Sequence, residues 1–232
     1  MCYSVSSTSS VETLSKKFNK KYGPETISPS YHYVNGFTFP KLHCITSQSH
    51  IQLFDWGLVP FWFKGNKKNI AAKTLNARIE TIHEKSSFKH LVNRNHCILP
   101  INGFFEWNNT NNDKKTYYVY PKKGNLFLCG GLFDVWLDIN SGNIVKSFTI
   151  ITTEANKLMS EIHNDKKRMP FLLEEEQVNG WLNGKFPENH AFKSENMEAH
   201  IVDKLKVLRN ENSPDILLPF QDLDGVQKSL FD

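Results

Sequence analysis

The 232-residue chain is 39% hydrophobic and 22% charged, and its 17 Phe, 7 Tyr and 5 Trp supply enough apolar mass to fill a substantial core in one domain. A net charge of +4 permits a nucleic-acid partner without demanding one, and the absence of any apolar run of about eighteen residues predicts no membrane span. The cysteines at 2, 44, 97 and 129 form neither a CxxC pair nor a Cys/His zinc spacing, so no disulfide framework, metal site or organic cofactor is expected, and the setting is read as cytoplasmic.

The chain opens Met1-Cys2. Trimming of Met1, expected when the next side chain is small, leaves Cys2 with a free α-amine beside its thiol. This 1,2-aminothiol can attack one electrophile twice; coincidence is the alternative. Such a start also leaves no room for the charged and apolar regions of a signal peptide. Ser9-Ser10-Val11-Glu12 has the form of a capping box, and Val11, Leu14 and Phe18 recur at helical spacing until Gly23-Pro24 stops the pattern. Residues 25–55, broken by Pro29, Gly36 and Pro40, predict short strands and loops. The stretch from Trp56 to Trp62, followed by Lys64, Lys67 and Lys68, reads either as core or as a surface that stacks bases beside phosphate-attracting lysines.

Asn76 and Arg78 stand two apart, so an extended segment projects both to one side. A guanidinium fork suits phosphate and an amide suits a tight polar site; a surface arginine and a capping asparagine fit the same pattern. From 96 to 152 the runs HCILPI, FFEW, TYYVY, LFLCGGLFDVW and VKSFTIIT, separated by turn compositions, predict a meander of antiparallel strands. Alternation within Gly103-Phe104-Phe105-Glu106-Trp107 sends Phe104 and Glu106 to one face. Glu106 is then either an exposed edge residue or a desolvated carboxylate with a pKa raised toward proton-transfer range.

Thr153 is the predicted N-cap of a helix over EANKLMSEI, with Leu158, Met159 and Ile162 on one face and His163 at its C-terminal end. There His163 serves either as a cap favoured by the helix dipole or as a general acid/base near neutral pH. Lys166, Lys167 and Arg168 beyond it form a solvated loop or meet a phosphate backbone. EEEQVNGWLNG predicts a further short helix, and 199–232 a C-terminal segment packing on the surface. The economical architecture is α+β, a single β-rich domain over 1–232 of antiparallel strands with a few peripheral helices.

Taken jointly, Met1-Cys2, WGLVPFW, NARIET, HCILPINGFFEW, YYVY, CGGLFDVW, FTIITTEANKLMSEIH and RMPFLL, in that order over about residues 1–185, resemble the SRAP family, the SOS response-associated peptidase-like proteins that sense abasic sites in DNA. The resemblance implies a compact β-rich fold with a barrel-like sheet core and a positively charged groove for single-stranded DNA. It further implies that the N-terminal cysteine becomes covalently attached to the ring-opened aldehyde of an abasic deoxyribose, a thiazolidine linkage when amine and thiol add to the same carbon. Carried onto this chain, the catalytic positions are Cys2, Asn76, Glu106 and His163. Arg78 is expected on a flanking phosphate, Trp107 as a DNA-contacting aromatic, and Arg168 among the DNA-binding residues.

Two departures stand out. Tyr3-Ser4 replaces the family's usual Gly-Arg, and the compact Ile-His-x-Arg-Met-Pro is stretched to IHNDKKRMP. The partner expected is single-stranded DNA containing abasic sites, bound by a monomer with no membrane involved. The competing readings are an N-terminal-nucleophile cysteine amidase or autoprocessing peptidase, and a non-catalytic DNA-binding module with an inert Cys2.

Overall fold

A computed structural model describes residues 2–110, 113–139, 141–188 and 191–221; Met1 and the last part of the predicted surface segment, 222–232, lie outside the described residues. In chain order the elements are β1 (Ser4–Ser7), α1 (Val11–Phe18), β2 (Tyr31–Asn35), β3 (Lys41–Cys44), β4 (Gln52–Trp56), α2 (Lys67–Ala71), β5 (Asn76–Arg78), β6 (His96–Ile101), β7 (Gly103–Thr110), β8 (Asp113–Pro121) and β9 (Phe127–Leu137). They continue with β10 (Ile144–Glu154), α3 (Lys157–Ile162), β11 (Arg168–Pro170), β12 (Leu172–Leu173), α4 (Val178–Leu182), β13 (Met197–Val202) and α5 (Lys204–Leu208).

The strands form two sheets. One has the order β13-β8-β7-β1-β2; the other runs β12-β9-β10-β4-β3, with β5, β6 and β11 attached to β9 and β10. The α+β, β-rich class therefore stands, but neither the simple meander nor a barrel does: the described strands close no barrel, and β10 pairs in parallel with both β4 and β5. The strand runs are the expected ones, yet β7 and β8 leave to make a hairpin with β1 and β13 as its neighbours, while β9 pairs with both β6 and β10. Paired glycines permit the crowding around β9. A Cβ on Gly130 would come within 2.6 Å of Phe171, and one on Gly131 within 2.6 Å of the Thr149 carbonyl.

Alternation sorts the apolar side chains. Val5, Phe104 and Val119 from the first sheet join Phe54, Cys129, Phe148 and Ile150 from the second in one buried cluster, which also holds Cys2. Their neighbours Phe105 and Tyr118 point the other way, into a cluster closed by Val207 of α5 and by Ile216. Ile98, Leu128 and Ile151 face the opposite side of the second sheet and meet α1 and Trp181 of α4.

Two helix starts differ from the sequence reading by a short step. Ser10, not Ser9, caps α1 by accepting from Thr13 N at 3.3 Å, and Asn19 in the left-handed region (φ 50°) ends the helix five residues before Pro24. Thr153 is still within β10, held by its pairing with Met169, so Asn156 caps α3 instead, accepting from Met159 N at 3.0 Å.

Candidate active site

Cys2 sits at the head of β1, a strand flanked on both sides by β7 and β2, and is 0% exposed. The register Ser4 to Phe105 and Val5 to Phe104 sets the N-terminal residues alongside the stretch of β7 that carries Glu106. Glu106 shares its face with Phe104 and is buried at 2% exposure, so of the two readings open in the sequence the desolvated carboxylate is the one present. Burial pushes its pKa up to about 7, with nearby positive charge, Lys166 included, only partly offsetting it. The Cys2 thiol is raised well above its ordinary range, first by burial and then by Cys129 and Glu106. It is therefore a neutral thiol that needs a base before it can act.

Asn76 reaches this point from β5, which lies parallel to β10 through the Ile150 to Asn76 pairing. Its Nδ2 donates to the Cys2 carbonyl at 2.9 Å, fixing the main chain of the candidate nucleophile. Its Oδ1 is buried with no hydrogen-bond partner among the described residues, an acceptor placed beside Cys2 for a group that the fold does not itself supply. Arg78, two residues on, is exposed, while Ala77 between them is buried.

His163 closes α3 as its C-cap and is 7% exposed. Its Nδ1 lies 2.9 Å from the Arg168 carbonyl. A carbonyl only accepts, so Nδ1 carries the proton and the neutral ring keeps its lone pair on Nε2. Burial lowers the His163 pKa, which favours this neutral form. Nδ1 is also 3.7 Å from Glu106 Oε1, close enough for electrostatic coupling and too long for a hydrogen bond.

Cys2, Asn76, Glu106 and His163 are thus brought together, and Arg78 stands at their edge. The structure does not gather the other two predicted DNA contacts there. Trp107 points to the opposite face of β7 and is half-buried against Tyr33, Phe105 and Tyr118. Arg168 is 6% exposed, and its guanidinium forks onto Glu80 at 2.7 and 3.0 Å while also donating to the Thr152 carbonyl at 2.6 Å. With Nη1 and Nη2 so engaged, and its buried Nε without a partner among the described residues, Arg168 acts in this geometry as a clasp between β11, β10 and the segment after β5, and its own carbonyl orients His163.

Replacing Arg168 by alanine is expected to cost roughly 2 kcal/mol, below the figure for a fully buried pair because the Glu80 side chain is 42% exposed. Thermal denaturation reads this loss; the salt dependence of DNA binding should not change, and a shallower slope would return Arg168 to the phosphate contacts.

The sequence reading missed two further parts of the site. Tyr3, half-buried with its ring tilted against Phe37 at 5.1 Å between centroids, has its hydroxyl pKa raised by burial and by Glu106, which places it beside the cluster. Its position next to Cys2 was the available signal. Glu80 carried none, since its role depends on an arginine 88 positions away. The Trp56 to Trp62 stretch divides between its two readings: Trp56 is core and donates to the Leu75 carbonyl at 2.9 Å, while Phe61 and Trp62 are 59% and 43% exposed. Asp134 pins that loop by accepting from Phe61 N and holding His90, both at 2.9 Å.

Cys2 is thus buried between two sheets with a carboxyl, an imidazole and an orienting amide around it. The chain matches the family of SOS response associated peptidases (SRAP) over residues 1–209 and belongs to it. Among its relatives are the abasic site processing protein YoqW of Bacillus subtilis, 36% identical over 74% of this chain and 77% of its own, and the abasic site processing protein YobE of the same organism, 31% identical over 94% and 99%. A crystal structure of a protein from Bacteroides thetaiotaomicron superposes with a TM-score of 0.89 at 33% identity, covering 95% of this chain and 100% of that one. No described helix is long and apolar enough to cross a membrane.

Proposed function

We propose that this chain captures abasic sites in single-stranded DNA as a thiazolidine crosslink at Cys2. The observation that carries the reading is the coincidence, around one buried N-terminal cysteine, of a carboxyl raised to about 7 and an amide locked onto the Cys2 main chain.

Once Met1 is removed, the Cys2 amine attacks C1′ of the open-chain sugar aldehyde. Glu106, still protonated near neutrality, donates to the departing hydroxyl, so water leaves and an imine forms. The resulting carboxylate takes the proton from the neutral thiol. Because the imine forms protonated, sulfur then bonds to the same carbon as the C=N electron pair returns to nitrogen, and a five-membered ring closes. His163, neutral and protonated at Nδ1, accepts a proton at Nε2 from the sugar during ring opening. Asn76 Oδ1 holds a donor of the substrate beside C1′.

Peptidase chemistry by the same residues is the alternative. A buried thiol held above its ordinary range is a weak nucleophile toward an unactivated amide, which favours aldehyde capture. Intact-mass analysis before and after mixing with single-stranded DNA containing one abasic site tests the reading. Loss of Met1 and an adduct that survives denaturation support it. Met1 retained, or trimmed protein with no adduct, overturns it, and turnover of an amide substrate would promote the peptidase.

Arg78, exposed beside the cluster, is proposed to contact a phosphate. Arg78→Ala should weaken DNA binding across sequences and reduce the slope of log K against log salt by about 1. An unchanged slope in a salt titration removes it from the phosphate contacts.

A further inference from the structure

Asn164-Asp165-Lys166-Lys167, the loop between His163 and Arg168, has no part in the capture chemistry as far as it has been described. The loop is held at both ends. Asn164 pairs its side chain with the main chain of Asn109 in β7: Asn109 N donates to Oδ1 at 3.0 Å, and Nδ2 donates to the Asn109 carbonyl at 2.8 Å. Lys167 adopts the left-handed region (φ 48°), a conformation that a residue other than glycine keeps only when its surroundings enforce it. Two hydrogen bonds do so: Lys167 N donates to the His163 carbonyl at 2.9 Å, and Ala155 N donates to the Lys167 carbonyl at 2.9 Å.

The turn brings the chain back to His163 within four residues. Lys166 is one peptide unit from that contact, exposed, and its four-carbon stem gives the ammonium reach toward His163 and Glu106, which lie 3.7 Å apart. Both groups feel it. Burial raises the pKa of Glu106 and the Lys166 charge opposes it; burial lowers that of His163 and the same charge adds to it.

Glu106 has to work twice in the proposed reaction. It gives its proton to the departing hydroxyl, and the carboxylate left behind must then take the proton of the thiol. The other titratable groups around it are the N-terminal amine and the Cys2 thiol at the head of β1, the Tyr3 hydroxyl, and His163 after α3. Cys129 of β9 acts on Cys2, Arg78 of β5 on Tyr3, and Asp165 of the loop on His163. The charge on the N-terminal nitrogen changes along the path: it is absent for the attack, present in the protonated imine and absent again after ring closure. That of Lys166 is constant.

We infer that Lys166 is the fixed charge that keeps Glu106 usable first as an acid and then as a base near neutrality, acting through the carboxyl and not on the sugar. This role rests on the capture reading above, while the coupling of Lys166 to Glu106 belongs to the free protein.

Lys166→Met, made in the full chain, removes the charge and keeps most of the stem. NMR titration of the Glu106 carboxyl without DNA should find its midpoint raised by roughly half a pH unit, the size expected for losing one solvent-screened charge. Lys166→Arg should restore the midpoint, and Lys167→Met should leave it in place. Salt near 1 M, where screening acts within about 3 Å, should erase most of the difference. Crosslinking to an abasic oligonucleotide should follow: the part of the pH–rate profile set by Glu106 moves upward with the midpoint, and in a Glu106→Gln background Lys166→Met brings no further change in rate. An unmoved midpoint overturns the inference. So does an equal slowing with and without the Glu106 carboxyl, which would put Lys166 on a phosphate of the DNA. If no protein forms an adduct while the midpoint still moves with Lys166, the capture chemistry fails and the coupling stands.

Discussion

Cys2→Ala should leave no adduct with an abasic oligonucleotide that survives denaturation, while the affinity for the same DNA stays near that of the wild type. The variant is more informative than a simple loss. Alanine is also small enough for Met1 to be trimmed, so an α-amine remains at position 2 and can still form an imine with the sugar aldehyde. What is missing is the sulfur that closes the ring and makes the linkage resistant to hydrolysis. Borohydride reduction should therefore trap the variant on DNA, and omission of the reductant should release it. The fold tolerates the change: loss of one buried sulfur costs about 1 kcal/mol, at the low end for core truncations. A stable adduct in the variant without reductant would place the linkage on another residue.

Glu106→Gln should slow crosslinking by roughly 10²- to 10⁴-fold, the range for loss of a positioned acid/base. Glutamine keeps the shape and the hydrogen-bonding capacity, so the loss reports the proton. In the wild type the carboxyl titrating near 7 should shape the rate between about pH 6 and 8, and the variant should lose that component while keeping the rise as the α-amine deprotonates near about 7.7–8.0. The same substitution has an opposite effect on stability. The folded-state pKa is raised, so between the ordinary carboxyl range and about 7 the native protein binds more protons than the unfolded chain, and stability falls as pH rises through that window. Above it the wild type carries a buried charge whose cost is on the order of 1–3 kcal/mol. Glu106→Gln should raise the thermal midpoint at pH 8 and leave it nearly unchanged at pH 4. A variant less stable than wild type at pH 8 would mean that the charge is held by partners strong enough to offset its burial.

The strands from His96 to Glu154 were legible because aromatic and β-branched residues alternate within them and turn residues separate them; local composition carries that signal. Their partners were not. Nothing near Val119 says that β8 pairs with residues 197–202, or near Ile150 that β5 arrives in parallel, because pairing is decided by what else needs covering. The site divides the same way. Alternation put Glu106 with Phe104, and that face became the core. The two arginines looked alike in sequence: Arg78 stayed exposed, while Asn164, Asp165, Lys166 and Lys167 stand between His163 and Arg168, which lies within reach of Glu80. Charge type was readable; whether a charge faces solvent or a partner 88 residues distant was not.

The position of β1 within its sheet sets an order of events. Its neighbour β7 lies about a hundred residues later in the chain, and the site also needs His163. During synthesis β1 can pair early with β2 but waits for β7, and so for burial between both neighbours, until much of the polypeptide has emerged. The proposed chemistry requires Met1 to be gone, and a 0% exposed Cys2 is beyond the reach of a processing enzyme once the strand has docked. The long wait for β7 is the interval in which the N-terminus is open to trimming, so a slow, non-local topology gives the maturation step its time.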